Sequence, residues 1–251
     1  MKKIVSLALA LIMLLSLSGC CRHVWNEATC LEPMTCAECG KTKGGLAEHT
    51  PGNWQITKDP VGGQAGSMDL LCAVCETSLE SNEYTLGNIC TATGFTLTAD
   101  EMYSRFFRIL KDIRPGLNCM KMPGSFNVTV SVDETLLGTF MFVADEEEND
   151  LQGDSAEVSP FGIRLIEMLS YGDVTVNGET VSADQLQLEI IQALIMTCDP
   201  SVTADEAWKL VDDFMNSGEP YAIIPVGDVE YLFFLSAFGT TILSVFITPA
   251  A

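Results

Sequence analysis

Seven of the ten cysteines, both histidines and two of the three tryptophans of this 251-residue chain lie between residues 20 and 85. A segment so short, with frequent glycines and no long amphipathic run, buries too little apolar surface to hold a fold by itself. The spacing of its thiols indicates what takes the place of a core. Cys36-x2-Cys39 followed by Gly40 has the form of a knuckle, in which two thiolates grip one ion while backbone amides face the sulfurs. Cys30 and His49 complete a tetrahedral set of three thiolates and one imidazole, for which zinc is the best-suited ion. A second knuckle, Cys72-x2-Cys75, lies downstream, and pairing it with Cys36 and Cys39 would give a four-cysteine ribbon. Cys21 and His23 are further possible ligands, so the segment carries enough donors for two sites.

The start of the chain reads as an address. Met1-Lys2-Lys3 precedes an apolar run from Ile4 to Leu17, too short for a stable spanning helix and flanked as a secretory signal is. It ends in Leu17-Ser18-Gly19-Cys20, which resembles the lipobox of bacterial lipoproteins. The resemblance implies cleavage after residue 19 and a diacylglycerol on Cys20, an anchor whose two acyl chains hold firmly where one would not. Cleavage removes Lys2 and Lys3 and takes the formal charge from −21 to −23. That acidity argues against nucleic acid as a partner and against electrostatic docking on anionic lipid. The expected location is the extracytoplasmic face of the cell membrane, held by lipid alone.

Residues 21 to about 85 also resemble a tandem repeat of secreted and lipid-anchored proteins of Gram-positive bacteria, of the form His-x-Trp-x2-Ala-Thr-Cys-x2-Pro-x-Thr-Cys-x2-Cys-Gly. One copy is complete from His23 to Gly40, and the next opens at His49. In that second copy Asp59 stands where the Ala-Thr-Cys cysteine should be, and Glu76 replaces the glycine after the knuckle, departures that weaken the case for a second metal site. The resemblance implies a zinc-ribbon-like accessory module and says nothing of the residues beyond it. Disulfides are the competing reading outside the cytoplasm. Once Cys20 is lipidated nine cysteines remain, an odd number, and close Cys-x2-Cys pairs suit metal better than a structural disulfide.

Beyond residue 86 the chain reads as an α+β domain, giving the division 1–19 signal peptide, 20–85 metal module and 86–251 main domain. Three helix starts carry the capping-box pattern: Thr98-Ala99-Asp100-Glu101, Ser182-Ala183-Asp184-Gln185 and Thr203-Ala204-Asp205-Glu206. Apolar residues follow at helical spacing, among them Met102, Phe106, Leu110 after the first and Leu186, Ile190, Leu194, Cys198 after the second. Asn127–Val132 and Leu136–Val143 predict a hairpin turning at Asp133-Glu134, and Ile163–Ser170 fits either a strand or a short helix. Tyr221–Val226, Val229–Ala237 and Thr241–Thr248 read as strands on an antiparallel sheet. The uncharged stretch from Tyr231 to Ala251 approaches membrane-spanning length, but its polar interruptions and β-branched content favour a buried hairpin.

No histidine follows His49, so the main domain has no histidine-assisted nucleophile, and it carries no phosphate-binding glycine loop or His-Glu-x2-His. Asp145 to Glu157 holds seven acids in thirteen residues, the pattern of a solvated loop rather than of a calcium site. Cys119 and Cys198 read as core or surface thiols rather than nucleophiles, and Cys198 continues the apolar face of its helix. The expectation is a membrane-anchored, non-catalytic accessory or interaction lipoprotein with structural zinc and an envelope protein as its partner. The alternatives are a metal- or solute-binding lipoprotein and a carboxylate-dependent envelope hydrolase.

Overall fold

The computed structural model describes residues 22–91, 94–121, 127–133, 135–143, 162–168, 172–226, 229–237 and 241–249. The signal segment, Cys20, Cys21 and the acidic run 145–157 lie outside them. The chain forms two compact units, Met1–Gln55 with Met68–Asn82, and Ile56–Ser67 with Glu83–Ala251.

The cysteine-rich part is built from two short sheets. Strands β1 (Trp25–Asn26), β2 (Met34–Cys36) and β3 (Thr42–Lys43) form the first, in that order, with Trp25 opposite Cys36 and Thr35 opposite Thr42. Strands β4 (Pro51–Lys58), β5 (Gly66–Cys72) and β6 (Ser78–Tyr84) form the second. An antiparallel bridge between Val61 and Gln64 closes the β4–β5 hairpin. Gly66 is required where the strands meet, because a Cβ there would run into the Lys58 carbonyl.

The second unit is α+β, as expected. Two short strands, β7 (Cys90–Thr91) and β8 (Gly94–Phe95), lead into helix α1 (Ala99–Ile113). Strands β9 (Asn118–Lys121), β10 (Asn127–Val132), β11 (Thr135–Val143), β12 (Gly162–Met168), β15 (Tyr221–Val226), β16 (Val229–Ala237) and β17 (Thr241–Pro249) make one antiparallel sheet. Its order is β15-β16-β17-β12-β11-β10-β9. A separate hairpin, β13 (Asp173–Val176) with β14 (Glu179–Ser182), precedes α2 (Ala183–Cys198) and α3 (Ala204–Ser217). Residues 162–168 resolve as strand, and the uncharged C-terminal stretch is the β16–β17 hairpin, running in register from Val229 opposite Pro249 to Ala237 opposite Thr241. No helix among the described residues is long and apolar enough to cross a membrane.

Alternation fixes the sheet's inner face: Val128, Val130 and Val132 are buried while their neighbours are half-exposed. Phe106 of α1 meets Phe140 of β11 edge-on at 4.7 Å, and Phe214 of α3 stacks on Phe233 of β16 at 5.1 Å. Thr98 and Thr203 close full capping boxes with Glu101 and Glu206. At Ser182 the hydroxyl accepts from the Gln185 amide, but the Gln185 side chain donates to Glu189 instead of reaching back. Helix α2 is the centre of the core, contacting α1, α3, β11, β14 and β17. Where the spacing predicts one apolar face, Leu186, Ile190, Ile191, Ala193, Leu194 and Ile195 are all fully buried, so the helix is covered nearly all round.

Three buried charged residues of this unit, Asp59, Arg105 and Glu189, are paired. Arg105 donates from Nη1 to Asp59 Oδ1 at 3.1 Å and from its remaining nitrogens to the carbonyls of Pro60, Met196 and Thr197. Arg108 grips the same carboxylate with Nε and Nη2, at 2.7 and 3.1 Å. Arg114 at the end of α1 makes a two-pronged contact with the buried Glu189 of α2.

Candidate metal centre

The ligand atoms of Cys30, His49, Cys72 and Cys75 all lie within 4.8 Å of one another. Cys30 Sγ is 3.7 Å from Cys72 Sγ, and Cys75 Sγ is 3.3 Å from His49 Nδ1. A tetrahedral zinc with bonds of about 2.3 Å to sulfur and about 2.05 Å to nitrogen would set its ligands about 3.8 Å (S···S) and about 3.5 Å (S···N) apart. The observed edges match that tetrahedron. They do not match a disulfide, whose sulfurs would sit about 2.05 Å apart, and no disulfide joins the eight described cysteines.

Local structure delivers each ligand. Cys72 ends β5, and the turn after it is fixed by three backbone bonds: Cys72 N–H to the Thr77 carbonyl, Glu76 N–H to the Cys72 carbonyl, and Ala73 N–H to the Thr50 carbonyl beside His49. Glu76 sits at φ +58°, in the left-handed region a glycine would favour. Its presence leaves the knuckle intact. Cys30 is carried by a turn that Thr29 builds, its hydroxyl accepting from the amides of Leu31 and Glu32 while its carbonyl accepts from Ala47. The threonine of the Ala-Thr-Cys motif is thus a turn device that presents the next thiol.

The electrostatics suit a cation. The amides of Val74 and Cys75, with His49 assisting, outweigh desolvation and bring the Cys72 thiol down to about 5. Cys75 is also lowered, chiefly by Thr77, and His49 is raised by its thiolate neighbours Cys72 and Cys75. Desolvation, then the neighbouring thiols Cys75 and Cys72, push Cys30 up to about 11. Binding an ion would displace that last proton.

His23, Cys36 and Cys39 form a second group within the same 4.8 Å limit, with Cys39 Sγ 3.4 Å from His23 Nδ1. The Trp25 ring lies 5.0 Å from the imidazole. Desolvation opposes ionisation of Cys36, but His23 and the amides of Cys39 and Glu38 outweigh it and bring the thiol to about 6.

The structure therefore divides the ligands differently from the linear reading. Cys30 and His49 do come together, but with Cys72 and Cys75, while Cys36 and Cys39 turn to His23. Neither the single set Cys30, Cys36, Cys39, His49 nor a ribbon of the two knuckles is assembled. The four-ligand group takes Cys30 from the first Cys/His stretch and His49, Cys72 and Cys75 from the second, while the three-ligand group lies wholly within the first. These are the only such His, Cys, Asp or Glu groups among the described residues. Asp59 is the buried partner of Arg105 and Arg108. Elsewhere, burial pushes Cys119 up to about 12 and Cys198 well above its ordinary value, leaving both as protonated thiols.

A cleft of about 220 Å³ in the second unit contains Asp59, Asp100, Glu101, Arg105 and Arg108. Each acid already has a structural role: Asp59 binds two arginines, Asp100 pairs with Lys121, and Glu101 caps its own helix. The fold is α+β, and its cysteine-rich part brings Cys and His side chains within metal-binding distance of one another. Compared with known proteins, the chain matches no family model, no curated protein and no solved structure.

Proposed function

We propose that the chain is a lipid-anchored extracytoplasmic accessory protein whose N-terminal module is held together by structural zinc. The observation that carries the metal assignment is the convergence of Cys30, His49, Cys72 and Cys75. Four protein ligands fill a tetrahedral ion, leaving no position for substrate or for an activated water. Three thiolates with one imidazole favour zinc over the harder cations. The two strands and the turn that bring these residues together bury few side chains, so ion binding supplies the cohesion that packing does not. A non-catalytic role for the second unit is supported by the engagement of Asp59, Arg105 and Glu189 in arginine–carboxylate pairs, and by its protonated thiols. The anchor rests on the lipobox-like run ending at Cys20, and the partner in this reading is another protein of the envelope.

Metal analysis of the full chain, purified in detergent under reducing conditions, tests the module. Zinc should be present and should resist a strong chelator until the module unfolds. Folded protein with a zinc content near zero would overturn the assignment. Metabolic labelling with a radioactive fatty acid tests the anchor: label should enter the wild type and be lost in Cys20→Ser. Label retained in that variant would refute lipidation at Cys20.

A further inference from the structure

Among the described residues three acids of the second unit are buried, and one of them has no counter-charge. Asp59 and Glu189 are held by arginines, whereas no ion pair among the described residues reaches Asp199, which is 8% exposed. A buried carboxylate left in that state is costly. Its Oδ1 accepts from the Ser201 amide at 2.8 Å and from the Ser201 hydroxyl at 2.6 Å, and Oδ2 has no partner among the described residues. Asp199 is also the C-cap of α2. A helix ends there in unmatched carbonyls, so a carboxylate at that position is disfavoured unless a cation answers it. Arg105 donates to the carbonyls of Met196 and Thr197 just before it, but the carboxylate that Arg105 binds is Asp59. A second polar group is also unmet. The Tyr231 hydroxyl is buried without a partner among the described residues, and burial, with the charges of Cys198 and Asp199 adding to it, pushes that hydroxyl well above its ordinary pKa.

Asp199 lines a cleft of about 380 Å³, within the roughly 300–1,000 Å³ of small-molecule sites. Pro60, Ala65, Leu86 and Val229 give it an apolar wall, while Gln64, Thr85 and Ser201 add neutral polar groups. We propose that this cleft binds a small organic ammonium ion, its charged nitrogen paired with Asp199 and its carbon body against the apolar wall. The site lies wholly in the second unit and uses no residue of the metal module.

Charge and shape select that class of ligand. Calcium takes about six to eight oxygens, commonly from several carboxylates, and Asp199 is the one acid among the described residues lining the cleft. An organic cation needs a single carboxylate and gains from the apolar wall. The formal charge of −21 raises the concentration of cations near the surface. Two substitutions probe the site without disturbing its frame. Asp199→Asn keeps an oxygen for Ser201 and removes the charge. Gly87 also lines the cleft, and a Cβ added there meets nothing within 4 Å, so Gly87→Leu has room to occupy the space.

Backbone amide shifts of the isotopically labelled full chain, titrated with n-butylammonium and with its neutral counterpart n-butanol, decide the point. The titrations are run in detergent at about 0.15 M salt, where exposed acids are screened. The ammonium ion should give saturable shifts at Leu86, Gly87 and Ser201, and the alcohol should bind about tenfold or more weakly. Asp199→Asn should bring the ammonium ion down to the level of the alcohol with an unchanged circular dichroism spectrum, and Gly87→Leu should weaken both. No saturable shift at the cleft with n-butylammonium would overturn the proposal. So would equal binding of the alcohol, an Asp199→Asn chain that still prefers the ammonium ion, or a Gly87→Leu chain that binds as the wild type does. The last comparison leaves Asp199 intact, so it tests the site independently of any change at the end of α2. Zinc content moves with none of these outcomes.

Discussion

Asp59 is the residue whose loss should be felt most in the second unit. Its carboxylate is 3% exposed and accepts three charge-assisted bonds, one from Arg105 and two from Arg108. Arg105 is 1% exposed. Asp59→Ala leaves that guanidinium with only the carbonyls of Pro60, Met196 and Thr197. Three bonds to charged groups at about 1.5–3 kcal/mol each would suggest a loss above 4 kcal/mol. Arg108, 28% exposed, can rehydrate and recover part of it. The net expectation is the roughly 3–5 kcal/mol typical of breaking a buried pair from one side. With a urea slope of about 2 kcal/mol/M, the unfolding midpoint falls by about 1.5–2.5 M. Replacing both partners, Asp59→Ala with Arg105→Met, should restore a large part of that, because no buried charge is stranded. Chemical denaturation followed by tryptophan fluorescence and far-UV circular dichroism reads both. A loss below about 1 kcal/mol for Asp59→Ala, or a double variant no better than the single, would refute the reasoning.

Two further expectations are more local. Thr203→Ala removes the hydroxyl that accepts from the Glu206 amide at the start of α3 and should lower stability by about 1 kcal/mol, measured by the same denaturation; no change would show that the cap is redundant. Bound zinc should be released as the pH falls toward and below about 5, where protons compete for thiolates held low by Cys72's and Cys36's amide neighbours. Zinc followed by a colorimetric chelator during an acid titration checks this, and retention of the full complement well below pH 4 would contradict it.

The elements legible in the sequence were those with local causes. Thr98 and Thr203 announce helices because hydroxyl and carboxylate sit three residues apart, and both boxes close. Val128, Val130 and Val132 alternate as a half-buried strand must. The hairpin at β16–β17 follows from aromatic and β-branched content rather than from hydropathy, which alone would have suggested a span. Helix α2 was harder to read, because contacts with α1, α3 and three strands bury it on nearly every side and erase the single apolar face. The metal residues were legible as a set but not in their grouping. Linear spacing favours neighbours such as Cys30 and Cys36, whereas β5 brings Cys72 to Cys30 across 42 positions. The role of Asp59 was hidden for the same reason, since its arginines lie 46 and 49 residues away.

That grouping is the central claim, and counting ions in paired variants tests it most directly. Cys30 and Cys72 belong to one site here, so Cys30→Ser, Cys72→Ser and the double variant should each lose the same single zinc relative to wild type. If the double variant loses two ions where each single variant loses one, Cys30 and Cys72 hold different metals and the shared centre is wrong.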